Sequence, residues 1–466
     1  MTTITPTPSG RLTGDPAASS GRMSADRRHQ LPVGAMVAIA MLSGLVNTLV
    51  LVLVVFAGAS EPVITGSALL GLASGWALLA VLTTRWTSQP QRWAVVPAVV
   101  MAATAAGLLA LTPGDGALNA AGWVWPPAAL ALSVWMVRAT RRAMTSRARW
   151  LLYPVIGALA VTAVGGIAES VALTRDQGRY PMPGASYDVG GHRLHLDCTG
   201  TGSPTVVLEN GLSETSPLWS GIIGQVARST RVCAYDRAGQ GWSDDVAHPQ
   251  DGIAVASDLH ALLARAGEHG PYVLAGHSSG GTLAMTYAAR YPAQVAGLVL
   301  LDSSSPHQYT DQPDFAGTYA MMGRLLPVMP ALARVGAFHL APASASTALS
   351  SSAAAQVQAF ATSPRGASNM RDEQAQLRVV FTQAQALRSF DPKPLAVVTA
   401  RENADGTKGW AAAQDRMAAL STNSTHWTAD TTHVGLLDDA NGSTDSVRAI
   451  TAVVTAVRTG APMATR

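Results

Sequence analysis

The spacing of hydrophobic positions changes once along this chain, near residue 175. Before that point apolar residues form long, nearly uncharged runs; after it they come in short bursts separated by turns. Five long runs occur, at 33–59, 62–82, 93–112, 119–137 and 150–172. At ~1.5 Å per helical residue, each is long enough to cross ~30 Å of hydrocarbon. Buried helices of a soluble core do not account for five such runs in succession. The pattern therefore predicts a multi-pass α-helical membrane region over 31–173. The first run is also too long, and too far from the N-terminus, for a cleaved signal peptide.

Basic residues orient the predicted spans. Arg11, Arg22, Arg27 and Arg28 precede the first span, Arg85 and Arg92 separate the second from the third, and Arg138, Arg141, Arg142, Arg147 and Arg149 separate the fourth from the fifth. The intervening loops, 60–61 and 113–118, carry neither Lys nor Arg. Because basic loops are retained in the cytoplasm, the N-terminus is expected inside and everything beyond the fifth span outside. Arg175 and Arg179 oppose this weakly and are outnumbered. Trp86, Trp93, Trp123 and Trp150 lie near span ends, where indoles favour the headgroup region. Residues 1–30, rich in Ser, Thr, Gly and Pro, read as a disordered cytoplasmic tail. Gly71 and Gly75 have the spacing that lets two helices pack closely.

From 180 to 466 the short bursts predict strands at 186–189, 192–198, 205–209, 231–235, 272–275, 297–302, 394–400 and 425–429. Helical periodicity fills the gaps at 217–228, 253–266, 282–291, 409–420 and 445–458. Strands alternating with helices define an α/β domain with a mostly parallel sheet. Residues 306–390 break the alternation and are expected to form a helical cap. The first half of that segment is strongly apolar, from Phe315, Tyr319 and Met321 to Leu325, Met329 and Leu332. Its spacing predicts packing onto the core, with a flexible Met-rich wall for an apolar group as a compatible second role.

Composition agrees with a membrane portion joined to a globular one: of 466 residues, 48% are hydrophobic and 13% charged. A net charge of +3 reflects the inner arginine clusters rather than nucleic-acid binding. The only cysteines are Cys198 and Cys233, with no metal-ligand spacing, and no cofactor motif is visible.

The chemistry centres on Gly276-His277-Ser278-Ser279-Gly280, with Gly281 behind it. An apolar strand precedes the pentapeptide and a helical stretch follows it, the context of a nucleophile elbow. The motif alone is weak, but two others stand in register upstream. These are Glu209-Asn210-Gly211-Leu212 after the third strand and Tyr235-Asp236-Arg237-Ala238-Gly239-Gln240-Gly241-Trp242-Ser243-Asp244 after the fourth. In order and spacing the three resemble the α/β-hydrolase superfamily, in its serine-nucleophile branch, over nearly all of 180–466. The whole chain, spans included, also looks like membrane-anchored actinobacterial hydrolases of that fold.

The resemblance implies an α/β-hydrolase fold with a helical cap and chain order nucleophile, acid, histidine. Ser278 takes the first role, and His433, in the loop after the last strand, is the expected base; His426 lies within that strand and reads as structural. His277 is expected to turn away from the site, in a packing or hydrogen-bonding role. For the acid, Asp302 after the sixth strand is favoured, while Asp405 and Glu402 after the seventh compete with it. The oxyanion donors implied are the backbone N–H groups of Leu212 and Ser279. Asn210 stands where the family often has His, which leaves the role of its side chain open. Asp236, Arg237 and Ser243 are expected to brace the loop after the fourth strand. The strands bearing Cys198 and Cys233 are neighbours in the family's sheet, so a disulfide is possible outside the cytoplasm.

These residues imply a membrane-anchored serine hydrolase, with a carboxylic-ester hydrolase favoured and an apolar acyl compound as substrate. An Asp at position 278 would have indicated an epoxide hydrolase or a dehalogenase. A peptidase of the same fold is the first alternative, favoured if acidic cap residues such as Asp311, Asp314, Asp372 and Glu373 bind a free amine. The second is a transport or signalling module whose hydrolase-like domain is a binding appendage. Apart from Glu169, near an end, the spans carry almost no charge of the kind that marks a transport path.

Overall fold

The computed structural model describes residues 32–340 and 346–463; the expected tail, 1–30, lies outside them. The N-terminal region is helical throughout, with α1 Val33–Val50, α2 Glu61–Trp86, α3 Val95–Leu111, α4 Asp115–Ala121, α5 Trp125–Ala143 and α6 Arg149–Arg179. Four of its helical segments are long and apolar enough to cross a membrane: α1 with its π-helical continuation Leu51–Val55, α2, α3 with the preceding turn, and α6. The fourth apolar run departs from expectation. It is two helices, α4 and α5, bent by 42°. Gly122 loosens the chain there, and Pro126 and Pro127, which lack N–H donors, can open α5 but cannot continue α4. The fifth run extends past 172 to Arg179 and leads almost directly into the first strand. Gly71 and Gly75 are used within the chain: a Cβ at either would strike Thr48 or Gly44 of α1, so these glycines let α1 and α2 touch.

The second region is built on eight strands in the order β1-β2-β4-β3-β5-β6-β7-β8. They are β1 Ala185–Asp188, β2 Arg193–Thr199, β3 Val206–Glu209, β4 Val232–Tyr235, β5 Tyr272–His277, β6 Val295–Leu301, β7 Leu395–Ala400 and β8 Ser424–Ala429. The β1–β2 and β2–β4 pairs are antiparallel; β4, β3, β5, β6, β7 and β8 run parallel. Each expected strand is present, shifted by at most a few residues.

The parallel strands are apolar on both faces because helices cover both. Val207, Leu274, Leu298 and Val397 point to one side, beneath α8 Gly252–Arg265, α9 Ser279–Arg290 and α16 Trp410–Ala418. Their neighbours Val206, Val273, Val299 and Val398 point to the other, beneath α7 Ser220–Val226 and α18 Ala440–Thr459. Two of these sheet-covering helices have starts fixed by side-chain caps: Asp251 accepts from Ala254 N, and Asp439 from Asn441 N and Gly442 N.

The segment between β6 and β7 is helical, with α10 Gln308–Asp311, α11 Phe315–Leu325, α12 Met329–Arg334, α13 Ser351–Thr362 and α14 Pro364–Ala384. Short helices α15 Arg401–Gly406 and α17 Gly435–Asp438 follow β7 and β8. One expectation is corrected here. The apolar first half of the cap packs onto the core only in part: Phe315 and Tyr319 lie half-buried against the Leu377, Val380 and Phe381 cluster, whereas Met321, Leu325 and Leu332 are exposed. Helix α14 takes the core contact through Leu377, Val380 and Phe381. Helices α11 and α12 lie against the membrane-type helices.

Cys198 and Cys233 face each other across the β2–β4 pair and are disulfide-bonded. They are 35 positions apart in sequence, and loop closure contributes ~3–4 kcal/mol in the chain-entropy model. The Cys198→Ser, Cys233→Ser double variant is expected to lose that stability, read as a lower midpoint in denaturant titration of the detergent-solubilised protein.

Candidate active site

Strand order places β3 and β5 side by side at the point where the connections reverse direction, so the loops leaving their carboxyl ends meet. The loop from β5 is the elbow. Ser278 sits at φ 54°, ψ −126°, in the left-handed half of the map, where a non-glycine residue is strained. Its neighbours show why they must be small. A Cβ on Gly276 would lie 2.6 Å from the Gly280 backbone, one on Gly280 2.3 Å from Glu209 O, and one on Gly281 2.0 Å from Ser303 Oγ. The strain is held by backbone bonds from Ser278 N to Leu301 O (3.1 Å) and from Ser304 N to Ser278 O (3.0 Å).

Asp302 follows directly from β6 and is fully buried. Its carboxylate is surrounded by donors: Ala400 N (3.0 Å) and Trp410 Nε1 (2.7 Å) bond Oδ1, and Asn403 Nδ2 (2.6 Å) bonds Oδ2. His433 Nδ1 also lies 2.6 Å from Oδ2. Three neutral donors and the imidazole satisfy a buried charge that would otherwise be costly. The competing acids lie elsewhere: Asp405 is exposed, and Glu402 accepts the backbone N–H of His433 rather than its ring. His426 bonds Thr399 and Asp415, away from the elbow. Among the described residues Ser278 Oγ makes no hydrogen bond to His433, a contact that in many such sites tightens only when substrate binds.

The backbone N–H groups of Leu212 and Ser279 make no bond to another protein group among the described residues. The loop carrying Leu212 is held from behind. Arg237 donates to Asn210 O (2.6 Å) and Gly211 O (2.9 Å) while pairing with Glu209 (3.0 Å) and Glu373 (2.8 Å). Arg237 thus braces the loop after β3, not only its own. The side chain of Asn210 points into the fold, bonding Tyr235 O, Gln240 and Trp219 Nε1. Asp236 does brace its own loop, accepting from Ser216 and from Trp242 N and contacting His195.

His277 turns away from the substrate side and stacks beside His433, with ring centroids 4.5 Å apart. Its Nε2 meets His433 O at 2.9 Å and its Nδ1 meets Glu214 Oε1 at 2.5 Å, so both ring nitrogens face oxygen acceptors. Glu214 Oε2 accepts Gly211 N at 2.5 Å. Burial alone would lower the His277 pKa, but the charge and hydrogen bond of Glu214 raise it overall. Burial would raise Glu214, yet His277 brings it below the ordinary carboxylate value. Both shifts favour the charged pair, and it ties together the loops bearing Leu212, Ser278 and His433. Glu214, Asn403 and Trp410 were not singled out in the sequence. None belongs to a motif: Glu214 lies in a loop 63 residues before His277, and Asn403 and Trp410 lie in the first turns of α15 and α16, so no local signal pointed to them.

This architecture places the chain in a class. The family model for the alpha/beta hydrolase fold matches residues 204–439, just over half of the 466, and the protein belongs to that family. It is 31% identical over 177 residues to an uncharacterized protein of Schizosaccharomyces pombe, covering 32% of this chain and 33% of that one. It is 40% identical over 110 residues to lipase LipV of Mycobacterium tuberculosis, covering 23% and 41%. The chain thus spans well under half the length of these curated relatives. Among solved structures, haloalkane dehalogenase DbeA of Bradyrhizobium elkani superposes with a TM-score of 0.49 at 19% identity, over 59% of this chain and 99% of that one.

The His277–Glu214 pair has a defined pH window. His277, with its raised pKa, contributes fully below its ordinary value of 6.5 and loses its contribution as pH rises through the raised one. Glu214 contributes above its ordinary 4.5 and loses its contribution as pH falls through its lowered value. Glu214→Ala is expected to cost about 3 kcal/mol near pH 6, as for breaking a buried pair, and less in alkali. Thermal unfolding across pH checks this; a loss that does not shrink in alkali contradicts the ion pair.

Proposed function

We propose that the protein is a membrane-anchored serine hydrolase that cleaves carboxylic esters outside the cytoplasm through an acyl-enzyme intermediate. The observation that carries this reading is the Asp302–His433 pair, 2.6 Å apart, in a fold whose elbow serine is held at positive φ. In the proposed sequence Ser278 Oγ attacks the ester carbonyl while His433 Nε2 takes its proton. Asp302 fixes Nδ1–H and stabilises the imidazolium. The N–H groups of Leu212 and Ser279 receive the oxyanion, each contributing ~10² to 10³ in rate. Collapse expels the alcohol, protonated by His433. Water, deprotonated by the same ring, then attacks the acyl-serine and releases the acid with Ser278 restored.

Several features favour an ester over the alternatives. Ser278, not a carboxylate, occupies the elbow, which disfavours halide displacement. Three of the four cap acids that an aminopeptidase would use for a free amine are engaged: Glu373 by Arg237, Asp311 by Arg416 and Asp372 by Arg371. The acids at the ends of the spans, Glu61 and Glu169, contact Arg334 and His339 of the cap, which favours a docking role over a transport path. Apolar helices of spanning length, with arginines clustered on alternate loops, support the bilayer as a partner and an extracytoplasmic hydrolase domain.

Ser278→Ala is expected to abolish both p-nitrophenyl ester hydrolysis and fluorophosphonate labelling; retention of either would refute the serine mechanism. Asp302→Asn should lower kcat by about 10⁴, as loss of the orienting acid does elsewhere, while Asp405→Asn stays within about twofold. The reverse order of losses in the same assay would move the acid to Asp405. A C-terminal alkaline phosphatase fusion should be active in intact cells, and an inactive fusion would contradict the proposed topology.

A further inference from the structure

Helices α11 and α12 lie between α14 and the apolar helices, away from the sheet. The connection after α12 enters a notch in α6: a Cβ on Gly165 would lie 2.0 Å from Val335 O, and one on Gly336 2.8 Å from Gly165 O. Gly165 is fifteen residues beyond Trp150, or ~22 Å along the helix at 1.5 Å per residue. That is less than the ~30 Å of a hydrocarbon core. With Trp150 at one interface, the 335–336 backbone therefore sits below the opposite one. At the other end of this segment, α11 contacts the turn that closes the first span, where Gly58 approaches Gly323.

Arg334, one residue before this notch, reaches the outer loops at 60–61 and 113–118 and is paired there, at the membrane boundary. Arg334 donates Nε and Nη2 to Glu61, at the start of α2, and Nη2 also to Asp115 (2.7 Å), at the start of α4. Its Nη1 reaches Asn119 Oδ1 at 2.8 Å. His339 lies 2.6 Å from Glu169 of α6. The fork of Arg334 is thus filled by carboxylates from two helix N-termini, a geometry suited to its planar donors. Beside this clamp the cap exposes large apolar side chains: Met321 at 56%, Leu325 at 45%, Leu332 at 37% and Leu340 at 86%. They continue the exposed apolar surface of the spans, which includes Val54, Val55 and Phe56 at the end of the first span. A patch of this kind facing water would be unfavourable.

We propose that the cap segment 315–340 is seated in the outer leaflet, held at that depth by the Arg334 clamp, with Met321, Leu325, Leu332 and Leu340 against lipid acyl chains. The occupant of this face is the bilayer, because the face continues the lipid-facing surface of the spans. This rests on the reading that those helices span a membrane. It accounts for the part of the apolar stripe that leaves the core: Phe315 and Tyr319 are covered by protein, and Met321, Leu325 and Leu332 by lipid.

The test uses the full chain in nanodiscs containing phospholipid with a nitroxide on the acyl chain. Single cysteines carrying a fluorophore are placed at Leu325→Cys on the cap, at Val161→Cys on the exposed face of α6, and at Ala264→Cys near the end of α8. The native cysteines are bonded to each other and do not label. Quenching at 325 is expected to be within about twofold of that at 161 and at least about fivefold above that at 264. Adding Arg334→Gln should reduce quenching at 325 and leave 161 unchanged; an unchanged 325 would overturn the clamp. If 161 is quenched while 325 matches 264, the cap is not in lipid, and the membrane reading survives without it. A second copy of the chain covering this face would give that same result and counts equally against the proposal. If 161 itself is unquenched, the spanning reading fails and the proposal fails with it.

Discussion

Everything at the site depends on how closely the backbone of the β5–α9 turn approaches the backbone leaving β3. Gly280 lies so near the carbonyls of Glu209 and Asn210 that no side chain fits between them. That contact sets Ser278 and the Leu212 loop side by side, and it forces Ser278 into the left-handed region. Such strain persists only where the surroundings over-determine it. Here bonds to Leu301 and Ser304, on either side of Asp302, do so, and the strained serine and the acid share one support.

Around this contact lies a set of buried charges, each with its partners. Arg237 holds the carbonyls of the loop after β3, the Glu214–His277 pair holds its Gly211 N–H, and Asp302 is ringed by four donors. Buried ion pairs add little net stability, but removing one partner leaves an uncompensated charge. Their effect here is geometric: they restrict the loops to one arrangement. His277 shows this most clearly, bonding Glu214 on one side and the backbone of His433 on the other.

The helical N-terminal region enters the same scheme through the cap. Polar contacts from Arg334 and His339 connect the cap to the helix ends, and the glycine notch in α6 lets the two backbones touch. The cap is therefore joined to both regions: α14 packs on the hydrolase core, and α11 and α12 bridge α14 and the apolar helices.

The sequence alone determined the two-part organisation, all eight strands and the elbow, because each rests on local rules. Apolar run length, short-range periodicity and the need for glycine at a tight turn are all legible without partners. The break in the fourth apolar run was legible in principle from Gly122, Pro126 and Pro127, but the uniform hydropathy around them hid it. What only the tertiary structure decided is which distant groups meet. Asp302, Asp405 and Glu402 all follow strands and are alike in sequence; the return of β7 beside β6 places the His433 ring against Asp302 alone. Glu214 and His277 are 63 residues apart, and Arg334 and Glu61 are 273 apart. The apolar stripe of α11 is likewise ambiguous, since hydrophobic periodicity shows that a face is to be covered and not whether protein or lipid covers it. Local pattern fixes which elements form, whereas pairing across the fold depends on the sheet order that brings their ends together.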